Sequence, residues 1–337
     1  MCQVCVLGYE TILRGNVVMT DNIKLYMAPM EGLTVHTFRN AWNEFYGGAD
    51  KLFTPFIAAE GSRKMKSREK RDILPENNKG VYVVPQIISN NAENFIRFAR
   101  ILKDYGYDEV NLNLGCPSGT VVAKHKGSGF LGKPLELNRF LDAIYSELTD
   151  MKVSVKTRIG LIDPDEIYEL MKIYNSYPIY ELIVHPRIRT DYYKHEPRME
   201  HFRYIYENSS NPLCYNGNVY TVEDYKKIVE EYPEITGVMF GRGLIRNPEL
   251  IAWIRKNKSS IDMANLRSYH DRIYKQYKES IDTEQVVVFK MKEIWCYMLD
   301  LFEDEDGNYR RLLNNSKFLS EYGAFVNRIF ANGVIKE

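Results

Sequence analysis

Long apolar runs are missing from this 337-residue chain: no stretch of eighteen or more apolar residues occurs, so no membrane-spanning helix is expected. Cysteine is scarce, with five residues scattered along the chain, an odd number that fits reduced thiols better than a disulfide framework. An excess of either charge is also absent. The 45 Lys and Arg balance 45 Asp and Glu, which argues against coating nucleic acid through bulk charge and leaves only a local basic face open. The first eighteen residues lack a basic start, and Glu10 and Arg14 interrupt their apolar stretch, which argues against a secretory signal and for a cytoplasmic protein. Residues 1–18 are expected to be an extension upstream of the fold, with Met19 just ahead of the first strand. Cys2 and Cys5 have C-x-x-C spacing, but no second pair follows at zinc spacing, so no metal site is expected.

What the chain does have is alternation. Short β-branched and apolar runs at 24–30, 49–57, 81–88, 108–115, 152–160, 180–187, 212–219 and 236–243 predict eight strands. Amphipathic stretches lie between them: in 91–106 the residues Phe95, Phe98, Ala99 and Leu102 recur at helical spacing, and Thr221 with Glu223 and Asp224 forms a capped helix start. Eight such units over about 230 residues fit an α/β fold, a parallel (β/α)8 TIM barrel. A doubly wound sheet is the competitor, but its G-x-G-x-x-G fingerprint after the first strand is missing. Polar oddities fall at strand carboxyl ends, which in a barrel converge on one face. Beyond about residue 258 the alternation stops and three or four helices are expected, so the barrel is assigned to 19–257 and an all-helical C-terminal domain to 258–337. That region interleaves Lys275, Lys278, Lys290, Lys292, Arg310, Arg311 and Lys317 with Tyr and Phe, a mixture suited to phosphate contact and base stacking; the plainer alternative is a solvated helix face.

Several residues could do chemistry. The glycines of "YNGNV" and "FGRG", with Arg242, follow strands seven and eight, where barrels bind phosphate, and point to a phosphorylated cofactor; ordinary turns also use glycine. Lys156, inside an apolar strand, either meets an anion in the barrel mouth or makes a salt bridge with a neighbouring strand. His185 shares that rim, and Arg187 and Arg189 follow it on an expected loop that could reach a polyanion. Gln86 and Asn113 carry amides able to read a flavin or pyrimidine edge, unless backbone groups satisfy them. Cys116 ends strand four and precedes an expected mobile, glycine-containing loop carrying Lys124, His125 and Lys126. A working thiol, an inert buried cysteine and a Cys-His hydrolase all remain open on these residues alone.

The segments "MAPMEGLT", "PQI", "NLNLGCPSGTVVAKHKGSGFLGKP", "VKTRIG", "VHPRIRTDYYKHEP", "YNGNV" and "GRGLIRNP", in that order, resemble the tRNA-dihydrouridine synthases, and "EYGAFVNRIF" resembles that family's helical tRNA-binding domain. The resemblance implies an FMN enzyme that uses NADPH (or NADH) to reduce the C5–C6 bond of particular uridines in tRNA. It makes Cys116 the proton donor to C5. It places Ala28, Pro29, Met30, Gln86, Lys156 and His185 around the flavin and its ribityl chain. Asn216, Gly217, Asn218, Gly241 and Arg242 fall at the FMN phosphate. On the RNA side it sets Asn113, Arg187, Lys124 and Lys126. Two departures stand out: Val35 and His36 replace the usual helix-starting Asp, and "NGN" replaces "NGD". "HPRIRTDYYKHEP" in place of the shorter "HGRT" form implies a divergent bacterial branch and leaves the target uridine open. A monomer is expected. An FMN barrel acting on a free pyrimidine or enone, and a non-catalytic tRNA-binding folding aid, are the alternatives.

Overall fold

The computed structural model describes residues 22–61, 64–256 and 258–336, so the extension and the Cys2–Cys5 pair lie outside the described residues. Ten strands form one parallel sheet: β1 Lys24–Met27, β2 Lys51–Phe53, β3 Ile57–Ala58, β4 Val83–Val84, β5 Gln86–Ile88, β6 Glu109–Leu114, β7 Lys152–Gly160, β8 Leu182–Ile188, β9 Leu213–Tyr215 and β10 Gly237–Phe240. β4 and β5 are one strand interrupted at Pro85, which has no N–H to give to a ladder. β4 pairs with β2 and β5 pairs with β6, while the Pro85 carbonyl accepts from Asn111 N at 2.9 Å. With β1 pairing β2 on one side and β10 on the other, eight strands close into a ring, at the eight places expected from the sequence. The short β3 is an addition beside β5.

The alternation of side chains along a strand explains what fills the ring. Tyr26, Phe53, Val84, Ile183, Cys214 and Met239 form an apolar cluster of their own, separate from the larger core between sheet and helices. The same every-second-residue rule places Glu109, Asn111 and Asn113 of β6, and Ser154, Lys156 and Arg158 of β7, along one interior face; Asn111 pairs in register with Ser154 and Asn113 with Lys156. The polar residues of the mouth are therefore the top layer of the barrel filling.

The helices that wrap the ring are α1 His36–Phe45, α2 Ser67–Ile73, α3 Ala92–Asp104, α4 Gly119–Val122, α5 Pro134–Glu147, α6 Glu166–Tyr174, α7 Met199–Asn208, α8 Val222–Glu231, α9 Arg242–Arg246 and α10 Leu250–Lys256. α3 buries Phe95, Phe98, Ala99 and Leu102, the stripe read from its spacing. Thr221 caps α8 by accepting from Asp224 N at 3.0 Å. Val35 gives α1 no side-chain cap, but Asp72 at the end of α2 accepts from His36 N at 2.7 Å, so the contact missing at Val35 is supplied from another helix. Four further helices follow, α11 Met263–Ser280, α12 Glu284–Met298, α13 Asn308–Asn315 and α14 Leu319–Asn332. Their core is continuous with that of the barrel: Tyr269 of α11 is ringed by Phe38, Phe45 and Tyr46 of the α1 region. No helix among the described residues is long and apolar enough to cross a membrane.

Candidate active site

A cavity of about 290 Å3 opens at the carboxyl ends of the strands, lined among others by Met30, Gln86, Asn113, Cys116, Lys156 and His185. A narrower recess continues from it past Ala28, Pro29, Asn216, Gly217, Gly241 and Arg242. The rim is thus built from the ends of β1, β5, β6, β7, β8, β9 and β10, and α12 adds Tyr297.

Cys116 sits one turn beyond β6. Asn113 holds it there: its Oδ1 accepts from Gly115 N at 3.0 Å and from Cys116 N at 2.9 Å, and its Nδ2 donates to Gln86 Oε1 at 2.7 Å. Asn113 therefore lines the cavity with most of its amide already engaged. The loop expected to be mobile is tied down at its base. The Cys116 carbonyl accepts from Ser128 N at 3.1 Å and from Ser128 Oγ at 2.8 Å. Gly127, at φ +56°, lets this fold-back pass, because a Cβ there would stand 2.9 Å from Cys116 Cβ. Burial first, and the nearby Glu31 carboxylate second among the raising influences, push the Cys116 thiol up; the Ser118 amide, Arg158 and Lys156 oppose this. The thiol is consequently a held proton at neutral pH, and the nucleophilic thiolate of a Cys-His hydrolase is disfavoured.

Lys156 has no carboxylate within ion-pair distance among the described residues, so the salt bridge considered for it is not made. Desolvation, then the like charge of Arg158, pushes its ammonium down to about 7. His185 is buried, and Arg187 Nη1 donates to its Nε2 at 2.8 Å, which leaves Nδ1–H as the free donor of a neutral ring. Burial and the surrounding Arg158, Lys156, Arg187 and Arg242 hold its pKa well below the ordinary histidine value.

Other expectations need correction. Arg187 is not on a loop: it lies inside β8, 1% exposed, because the strand runs three residues further than His185. Its guanidinium donates to the His195 carbonyl, His185 and Asn218 Oδ1, so it braces the rim. Asn218 lies behind the rim, its Oδ1 accepting from Arg187 and Arg242 and its Nδ2 donating to Glu196; the oxygen of the departing "NGN" thus bridges two guanidinium groups. Lys124 and Lys126 are not among the residues that line the cavity, and both engage Glu60, at 3.4 and 2.8 Å. Among the C-terminal cations, Lys275, Lys290 and Arg310 pair with acids, Lys292 donates to the Asn314 and Ser316 carbonyls, Arg311 donates to Asn308, and Lys278 lies over Tyr274.

Two participants escaped the sequence reading. Arg158, 1% exposed, donates to the Gly115, Ile188 and Tyr192 carbonyls, tying the cysteine loop to the loop after β8. Tyr193 lies over Arg242, 4.5 Å from ring centre to guanidinium, and beside His185. An arginine two residues after Lys156 in a strand-like run, hence on the same strand face, was a signal for the first; nothing local marked the second.

A family model described as dihydrouridine synthase matches residues 26–333. A probable tRNA-dihydrouridine synthase 2 of Bacillus subtilis is 27% identical over 259 residues, 75% of this chain and 78% of that protein. tRNA-dihydrouridine synthase B of Pasteurella multocida is 26% identical, covering 67% of each chain. Among solved structures, the old yellow enzyme from Trypanosoma cruzi matches 74% of this chain and 92% of its own, with a TM-score of 0.51 at 12% identity, which shows the shared barrel fold. A 2-naphthoyl-CoA reductase complex does so over 70% of this chain and 50% of its own, with a TM-score of 0.54 at 11% identity. With the family model spanning barrel and C-terminal helices alike, the chain belongs to the dihydrouridine synthase family.

Proposed function

We propose that the protein reduces the C5–C6 bond of uridines in tRNA with FMN as its cofactor and NADPH or NADH as reductant. The observation that carries this is the Cys116 thiol lining the same cavity as Lys156, which meets no carboxylate among the described residues. The residues present fit a flavin phosphate. The recess is walled by Ala28, Pro29 and Met30, and a Cβ on Gly241 would stand 3.6 Å from Met30 Sδ and 3.7 Å from Ala28 Cβ, filling the cradle. Arg242 supplies charge at its narrow end, beside Asn216 and Gly217. Lys156 and the His185 Nδ1–H face the space where an anionic ring edge would lie, and Gln86 offers an amide to it.

Held by these residues and reduced by a nicotinamide cofactor, FMN would supply the hydride for C6. Cys116 gives its Sγ proton to C5, and Arg158 and Lys156 favour the thiolate left behind. Asn113 fixes the thiol for that transfer. The target base leaves its stack to enter, at a cost of about a few kcal/mol. The C-terminal helices serve as the RNA-contacting part, with Tyr297 of α12 in the cavity wall.

The test is the purified protein itself. It should carry yellow FMN and form dihydrouridine in tRNA with NADPH. Cys116→Ala should keep the flavin absorbance and tRNA affinity but lose about 10² or more in rate, the scale of a positioned acid. Reduction of a free pyrimidine or enone without reduction of tRNA, or a protein that cannot be loaded with FMN, overturns the reading.

A further inference from the structure

The interior of the barrel contains a row of hydrogen bonds that begins at the cysteine loop and ends at the opposite end of the ring. Cys116 N–H donates to Asn113 Oδ1 at 2.9 Å, and Asn113 Nδ2 to Gln86 Oε1 at 2.7 Å. Gln86 Nε2 donates to Asn111 Oδ1 at 2.8 Å, Asn111 Nδ2 to Ser154 Oγ at 3.0 Å, and Ser154 Oγ–H to Glu109 Oε1 at 2.8 Å. Every donor points the same way. All five side chains are buried, with Gln86 and Glu109 1% exposed and Asn111 and Ser154 fully enclosed.

The direction is forced from the far end. An ionised carboxylate only accepts, so Glu109 takes the single hydroxyl hydrogen of Ser154. Ser154 must then accept from Asn111, which sets the amide of Asn111, then that of Gln86, then that of Asn113. Glu109 is in turn fixed by Lys51, whose ammonium donates to its other oxygen at 2.8 Å. Aligned bonds in a low-dielectric interior polarise one another, so the last acceptor in the row, Asn113 Oδ1, is strengthened for the Cys116 amide. Glu109 stands four residues before Asn113 on β6, about 13 Å away along the strand. We infer that Glu109 is a positioning residue for Cys116, acting through this one-way chain from the far end of the barrel. The inference rests on the role assigned to Cys116 above.

Two substitutions act on the row differently. In Glu109→Gln the single oxygen is claimed by Lys51 and an N–H faces Ser154, whose oxygen keeps its bond from Asn111, accepts the new N–H and turns its own hydrogen toward the Val110 carbonyl, so the row loses its charged end without reversing. Ser154→Ala cuts the row without reversing it and leaves the Glu109–Lys51 pair in place. Tyr26→Phe is the control, because it removes a buried hydrogen bond at the same end of the barrel, from Tyr26 to Glu181, outside the row.

FMN-loaded full-length proteins are compared by two readouts: the pH profile of iodoacetamide alkylation at the Cys116 peptide, resolved by mass spectrometry, and the single-turnover oxidation of pre-reduced flavin by tRNA. Ser154→Ala should slow the single turnover by about tenfold, the scale of one lost buried bond, with KM for tRNA unchanged. Glu109→Gln should slow it as well, both should displace the alkylation profile, and Tyr26→Phe should do neither. Alkylation and turnover within twofold of the parent for Ser154→Ala and Glu109→Gln, or an equal loss in Tyr26→Phe, overturns the inference. Should the parent protein form no dihydrouridine, it is the proposed function that fails, while the alkylation profiles still decide whether the row reaches Cys116.

Discussion

At the scale of single residues the site is governed by two groups displaced from their ordinary protonation. Cys116 is pushed above the usual thiol value of 9.0, chiefly by burial, so it is an acid that stays loaded across neutral pH. The proton-transfer step is therefore fully competent below that raised value and falls as pH climbs through it. A pH–rate profile of flavin oxidation by tRNA should show its alkaline limb above pH 9, and Cys116→Ser should remove that limb. Lys156 is displaced the other way, to about 7. At pH 8 the flavin-free protein holds it largely neutral, and an anion bound beside it restores the charge, so loading with FMN in weak buffer should take up about one proton. Lys156→Met should abolish that uptake and weaken FMN retention. It should also remove a stability gradient. Between pH 7 and 10.5 the unfolded chain binds more protons at this lysine than the folded one, so flavin-free protein gains stability as pH rises through that window. Thermal melting of the two flavin-free proteins across it measures the difference.

At the scale of elements, strand parity placed the chemistry and loop closure aimed it. Asn113, Lys156 and His185 were legible because an amide, an ammonium and an imidazole at strand ends converge in a barrel. Their partners were not legible, since Arg187 acquires its role only by lying inside β8, where it meets Asn218 of the next strand end. The cysteine loop shows the same division. Its glycines were visible in the chain, yet which one matters depends on the fold-back that carries Gly127 against Cys116. Gly127→Ala, at positive φ and with its Cβ 2.9 Å from Cys116 Cβ, should lower turnover far more than FMN binding, read as kcat against flavin affinity. The start of α1 is a second case. Val35 reads as a helix without a cap, and Asp72, 36 residues from His36, supplies one. Asp72→Ala should destabilise the protein by about 1–2 kcal/mol in urea unfolding, the range for a lost N-cap.

At the scale of the whole molecule, barrel and C-terminal helices share one apolar core. Tyr269 packs among Phe38, Phe45 and Tyr46. The two parts should therefore unfold together: near-ultraviolet circular dichroism, reporting aromatics of both, and release of bound flavin should follow one coincident thermal transition. Two separated transitions would show the helices to be an independent unit. By itself the chain determined the eight strand positions, the helical stripes between them and the motif around Cys116, because these depend on periodicity and on neighbours a few residues away. Only the tertiary structure decided what those residues meet. Closure of the ring at Pro85, the bracing roles of Arg158, Arg187 and Asn218, and the row from Cys116 to Glu109 all join groups from different strands. Spacing along one strand cannot specify the hydrogen-bond partner on the next.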